Sequence, residues 1–262
     1  HVSNHMEILK NHDFEFDLKT AENEWFEGIE AMREFSIANT EYLINDMISH
    51  GKRVLAEGAQ GTMLDVDFGS YPFVTSSNTI SSGACTGLGV SPRKVGDIFG
   101  IFKAYCTRVG SGPFPTELSD STGEKIRDTG HEFGSTTGRP RRCGWLDIPA
   151  LKYAIMIDGV TRLIMTKADV LSGFDTIKVC MAYKIEGKEI SEIPVENDLQ
   201  VEPVYTELKG WKEDITKTRD YKSLPDALRK YIDFIENITK VPVMIVSTGP
   251  DRDETVFRKS LL

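Results

Sequence analysis

The chain has 262 residues, 40% of them hydrophobic, and carries 31 basic against 40 acidic side chains for a net charge of −9. That much apolar sequence can bury a sizeable core, which excludes intrinsic disorder. The negative balance opposes general attraction to polyphosphate backbones and anionic lipid, so neither nucleic acid nor a membrane is expected as a partner.

The N-terminal stretch "HVSNHMEILKNHDFEFDL" has no basic head before an apolar run, and no later run reaches the roughly 18 apolar residues of a membrane span. Trp25, Ile29, Met32 and Phe35 recur three to four apart, which predicts a long helix, broken near Ser36 and stopped at Gly51. "KRVLAEGAQGT" then reads as a short buried strand feeding a loop. Residues 75–89, "TSSNTISSGACTGLG", are dense in small residues. Such backbone approaches a ligand closely or acts as a flexible linker. No GxxxxGK[ST] or well-placed GxGxxG is present, which excludes a P-loop or a Rossmann turn here.

"SPRKVGDIFGIFKAYCTRVG" reads as a helix leading to a loop, followed by a long turn-rich segment ending in "GRPRRCGWLD". Long loops in compact domains usually carry function. "LDIPALKYAIMIDG" is helical, while "TRLIMTKAD" and "DTIKVCMAYKIEG" are strand-like, with "KEISEIPV" as a hairpin partner to the second. Pro225 opens a helix with Leu228, Tyr231, Ile232 and Ile235 on one face, and "VPVMIVSTGPDR" supplies a last buried strand. The pattern predicts an α/β fold: a mainly parallel sheet flanked by helices, with a small β-hairpin excursion. One continuous domain over 1–262 is expected, with a helical lead-in over 1–51.

The four cysteines, Cys85, Cys106, Cys143 and Cys180, are scattered with no CxxC pair. Neither a zinc site nor a disulfide framework follows, and a reducing, cytoplasmic setting is expected. "TKAD", residues 166–169, follows the apolar strand. An Asp carboxylate there can accept from N1–H and the exocyclic N2–H₂ of guanine, a pairing adenine cannot offer, and the Lys stem can cover the base. Taken alone the tetrapeptide is a weak signal, since Lys and Asp are common loop residues and a solvated turn is the more frequent reading. "STTGRPRR" places Arg139, Arg141 and Arg142 beside Gly138. Planar guanidinium groups suit bidentate binding of carboxylate or phosphate, and a basic surface patch is the alternative.

Five segments taken together resemble the adenylosuccinate synthetase family in order and spacing: "EGAQGTMLDVDFGSYPFVTSSNT", "TRVGSGPFPTEL", "EFGSTTGRPRRCGWLD", "TKADVLSG" and "STGPDR". The likeness runs from about Lys52 to Arg252, and Lys10 to Gly51 is similar to the family's helical lead-in. The resemblance implies a GTP-dependent ligase that joins L-aspartate to inosine monophosphate (IMP) through a 6-phosphoryl-IMP intermediate. It also implies Mg²⁺ acting with GTP and a homodimer. By motif, Gln60, Thr75, Val109 and Arg139 are similar to the family's IMP contacts. Thr136, Thr137 and Arg139 resemble its aspartate loop, and Arg141, Lys167, Asp169, Ser247 and Gly249 its GTP contacts.

The family's glycine-rich "GDEGKGK" segment and the histidine loop after it do not occur here, so the chain resembles the C-terminal three-fifths of the family. That absent segment would carry the catalytic base, the acid and the magnesium ligands. His1, His5, His12, His50 and His131 lie outside the matching motifs and inherit no role. The chain alone is therefore expected to be inactive, with catalytic residues and metal ligands assigned to none of its positions. The alternative is a non-catalytic purine-nucleotide-binding module. A retained aspartate loop argues against it, because a nucleotide sensor has no use for one.

Overall fold

The computed structural model describes residues 1–136, 138–194 and 199–258. They form two compact units, His1–Val54 and Leu55–Leu262.

The first unit holds three helices: α1 (Val2–Asn11), α2 (Leu18–Met32) and α3 (Thr40–Ser49). The Asp17 carboxylate caps α2 by accepting from the backbone N–H groups of Lys19 and Thr20, which satisfies donors that a helix start leaves open. The break expected near Ser36 falls between α2 and α3, and Gly51, at φ 73°, follows the end of α3. None of the three helices contains a buried residue.

The second unit is built on two sheets. In the first, β1 (Phe99–Lys103), β5 (Arg162–Thr166) and β9 (Val243–Ser247) run parallel, and β10 (Thr255–Phe257) closes the edge antiparallel to β9. The second sheet centres on β6 (Thr176–Ile185). It pairs parallel with β4 (Leu146–Asp147) and antiparallel with β7 (Lys188–Ile190) and β8 (Glu202–Lys209). The hairpin excursion is β6–β7, whose two-residue turn puts Glu186 and Gly187 at φ 48° and 81°, the conformation that matches strand twist in tight hairpins. The longer partner of β6 is β8. A small two-stranded sheet joins β2 (Cys106–Arg108) to β3 (Arg142–Gly144).

Helices α4 (Ser82–Leu88), α5 (Ser121–Thr129), α6 (Ile148–Asp158) and α7 (Asp226–Thr239) complete the unit. The expected apolar face of α7 is the buried one, since Leu228, Tyr231, Ile232 and Ile235 are all within 1% of full burial. Tyr231 packs at 5.8 Å from the Trp211 ring, and its hydroxyl donates to the Ala104 carbonyl at 2.7 Å, which ties α7 to the end of β1.

Two expectations are corrected. "SPRKVGDIFGIFKAYCTRVG" supplies strands β1 and β2, not a helix. Its aromatic and β-branched residues fit a pleated surface, and Gly100 lets β1 close on its neighbours, since a Cβ there would lie 2.9 Å from Val160 Cγ1. "KRVLAEGAQGT" forms no strand: Leu55 is 89% exposed and no described strand pairs with the segment. Its apolar run of Val54, Leu55 and Ala56 is too short to hold a strand that has no partner.

Candidate functional site at the carboxyl edge of the parallel sheet

Lys103, Thr166 and Ser247 end three parallel strands, with Lys103 opposite Thr166 in register. The loops that follow therefore open on one edge, where ligands bind in open α/β sheets. After β5, Lys167 takes φ 63° and donates from Nζ to the Gly130 carbonyl at 2.8 Å. Asp169 opens a 3₁₀ turn, and its Oδ1 is buried with no hydrogen bond among the described residues. Burial pushes its pKa above the ordinary 3.8, only partly countered by backbone hydrogen bonding and by the Lys167 charge.

The adjacent loop, after β9, is held closed by Ser247 Oγ donating to the Gly249 carbonyl at 2.8 Å. A Cβ on Gly249 would lie 2.1 Å from Glu254 Oε2, the oxygen that also accepts from the Asp251 N–H at 3.0 Å. The structure thus brings Lys167 and Asp169 onto the loop neighbouring Ser247 and Gly249.

Beside them lies a charge cluster with no counterpart in the sequence reading. Glu132 is 1% exposed, and its carboxylate takes Lys103 Nζ at 2.6 Å and the Tyr105 hydroxyl at 2.6 Å on Oε1, with Arg141 Nη1 at 2.9 Å on Oε2. Burial alone would raise its pKa. The hydrogen bonds from Lys103 and Tyr105 and the charges of Lys103 and Lys167 outweigh burial and leave it lowered. Burial in turn lowers the pKa of Lys103 despite Glu132.

Gln60 and Thr75 meet on a second loop system. Gln60, at φ 71°, donates from Nε2 to Thr75 Oγ1 at 3.3 Å and accepts from Ser77 Oγ at 3.2 Å. Asp65, fully buried, organises this loop by accepting the N–H groups of Asp67, Phe68, Thr79 and Ile80. Val109 is 60% exposed on the turn after β2. That turn is fixed by Arg142, which grips Glu117 with Nε and Nη2 and donates from Nη1 to the Gly110 and Gly112 carbonyls. Arg142 is thus committed to the scaffold, in contrast to Arg141.

Thr136 and Arg139 are exposed on a loop closed by the Gly134 N–H on the Arg139 carbonyl at 2.9 Å, with Gly138 at φ 64°. Thr137 lies outside the described residues. Val109 and Arg139 each stand on their own loop.

Lys103, Tyr105, Glu132 and Asp65 were not singled out from the sequence. For Asp65 a signal exists, because Asp accepting the N–H groups two and three residues on is a known local turn. For Glu132 none does, since its partners are 9 to 29 residues away. All four cysteines are free thiols. Among the described residues no group of three His, Cys, Asp or Glu could hold a metal ion, and no helix is long and apolar enough to cross a membrane.

The fold is mixed α/β, with the loops that follow β1, β5 and β9 on the carboxyl edge of a parallel sheet. The chain belongs to the adenylosuccinate synthetase family, whose sequence pattern matches residues 1–256. It is 58% identical to the adenylosuccinate synthetase of Parabacteroides distasonis over 97% of this chain, and 54% identical to that of Cytophaga hutchinsonii over 98%. In each case it covers 60% of the relative. The fully ligated adenylosuccinate synthetase of Plasmodium falciparum superposes with a TM-score of 0.90 at 40% identity, covering 98% of this chain and 62% of that one. The chain thus spans about three-fifths of the length of the curated relatives it matches.

Proposed function

We propose that this chain supplies the purine, IMP and L-aspartate contacts of a GTP-dependent ligase that makes adenylosuccinate through 6-phosphoryl-IMP. The observation that carries the reading is the buried, unpartnered Oδ1 of Asp169 on the loop beside Ser247 and Gly249. A buried acceptor without a donor costs about 1–3 kcal/mol. The two N–H groups on the Watson–Crick edge of guanine would satisfy it, whereas adenine presents N1 as an acceptor there. Lys167, pinned at its ammonium by the Gly130 carbonyl, would cover the base plane with its stem.

In this reading Gln60, Thr75 and Val109 hold IMP, and the 136–139 loop takes the aspartate carboxylates, with Arg139 also reaching IMP. Arg141 faces the GTP phosphates. The 6-oxygen of IMP takes the γ-phosphoryl group of GTP with release of GDP, the aspartate amine then displaces phosphate from the purine carbon, and charge on the transferred group must be offset by cations. Mg²⁺ bound with GTP would supply part of that charge. Among the described residues no group of three His, Cys, Asp or Glu could hold the ion. A cytoplasmic homodimer is the setting this reading implies.

Calorimetric titration with GDP, ADP and IMP tests it. GDP and IMP should bind and ADP should not. Binding of ADP as tightly as GDP would overturn the guanine assignment. A second titration separates the ligase from a nucleotide sensor: Arg139→Ala should abolish aspartate binding in the presence of IMP while GDP binding persists. Unchanged aspartate binding would remove Arg139 from that subsite.

The same pocket predicts a pH dependence. Guanine donates to an ionised carboxylate, and burial raises the Asp169 pKa above 3.8. GDP affinity should be full above that raised pKa and fall as pH drops through it. Titrations from about pH 7 down to about pH 4 on the wild type and Asp169→Asn check this. The variant should lose that component of the pH dependence, and an unchanged profile would show that another group controls it.

A further inference from the structure

Lys103 and Arg141 converge on a single buried anion. Glu132 is 1% exposed, while the Lys103 and Arg141 side chains that grip its two oxygens remain 25% and 32% exposed. The carboxylate is a floor and the two cations are a rim above it. Lys167 adds a third positive charge, which bears on both Glu132 and Lys103. Glu132 and the neighbouring Asp169 carboxylate, which Lys167 also faces, are two anions against three cations, so the rim retains positive charge at the carboxyl edge.

The arginine's own bonding points the same way. Arg141 spends Nη1 on Glu132, its Nε is buried without a partner, and Nη2 has none among the described residues. A guanidinium anchored by one nitrogen holds its remaining N–H groups in a fixed plane, which suits a second, oxygen-rich anion.

We propose that Glu132 is the positioning residue of the nucleotide's phosphate subsite, setting the plane of Arg141 so that its guanidinium faces the phosphates. The inference rests on the guanine-nucleotide reading above and gives a role to Glu132, to which the family resemblance assigns none. Glu132 touches no ligand and acts through Arg141. Without its carboxylate the two cations repel each other and Arg141 loses the partner that sets its plane.

The test is calorimetric titration of GTP and guanosine into the wild-type chain, Glu132→Gln, Arg141→Ala and the double variant. Guanosine has the base but no phosphate. The expected result is an affinity loss of about tenfold or more for GTP in each single variant, with guanosine unaffected. In the double variant the loss should be no larger than in Arg141→Ala alone, because a residue acting through Arg141 has nothing left to act on. Unchanged GTP binding in Glu132→Gln, equal losses for GTP and guanosine, or losses that multiply in the double variant would each overturn the proposal. Should Glu132→Gln fail to fold, Glu132→Asp, which keeps the charge but shortens its reach, is read by the same comparison. Absence of guanosine and GTP binding in the wild type would instead overturn the guanine-nucleotide reading, and this inference with it.

Discussion

Asp169→Asn should lower the affinity for GDP by about tenfold to a hundredfold and leave IMP binding unchanged. The carboxylate offers two acceptors to two guanine donors, and Asn replaces one acceptor with an NH₂ that points a donor at a donor. Losing a charge-assisted hydrogen bond and leaving its partner buried costs about 1.5–3 kcal/mol, which is the stated range of affinity. The substitution is nearly isosteric, so packing around the turn, where Val170 and Leu171 are buried, should survive. IMP serves as the internal control, because Gln60 and Thr75 lie on a separate loop system. Equal loss of GDP and IMP in paired calorimetric titrations would show that Asp169 acts on the fold and not on the base.

Asp65→Ala should have the largest structural effect, lowering stability by about 2–4 kcal/mol and removing IMP binding. Asp65 is fully buried, and its two oxygens collect four backbone N–H groups, two from residues 67–68 and two from residues 79–80. Alanine leaves those donors without an acceptor, at about 1–3 kcal/mol each before water regains some of them. The same carboxylate joins the two ends of the loop that carries Thr75, so its loss frees the contact between Thr75 and Gln60. Chemical denaturation measures the stability, and a titration with IMP measures the consequence. A variant as stable as the wild type would mean that water replaces the carboxylate freely.

Burial would raise the Asp65 pKa, but the backbone donors outweigh it and leave it below 3.8. A depressed carboxyl pKa contributes stability that is fully present above the unfolded value and is lost as pH falls through the folded one. Acid should therefore loosen the Thr75 loop only below the ordinary carboxylate range.

Elements with strong local signals were readable directly. The face of α7, with Leu228, Tyr231, Ile232 and Ile235, follows from helical spacing, and the β6–β7 hairpin from its Glu-Gly turn. The parallel order of β1, β5 and β9 matches the α/β expectation. β1 reads as helical in sequence because its identity as a strand comes from pairing with β5, 63 residues later in register. Its own five residues do not carry that information. Likewise β8 becomes a strand through an eight-residue ladder with β6, an interaction distant in sequence.

The amino-acid sequence by itself determined the α/β class, the family and the short motifs of the candidate pockets, because these depend on residue type and local spacing. Only the tertiary structure decided that Arg142 is bound to Glu117 while Arg141 shares Glu132 with Lys103. It alone also showed that Asp169 keeps a buried oxygen without a donor. Neighbouring arginines in one loop are chemically equivalent in sequence, and what separates them is which distant carboxylate the folded chain places within reach of each.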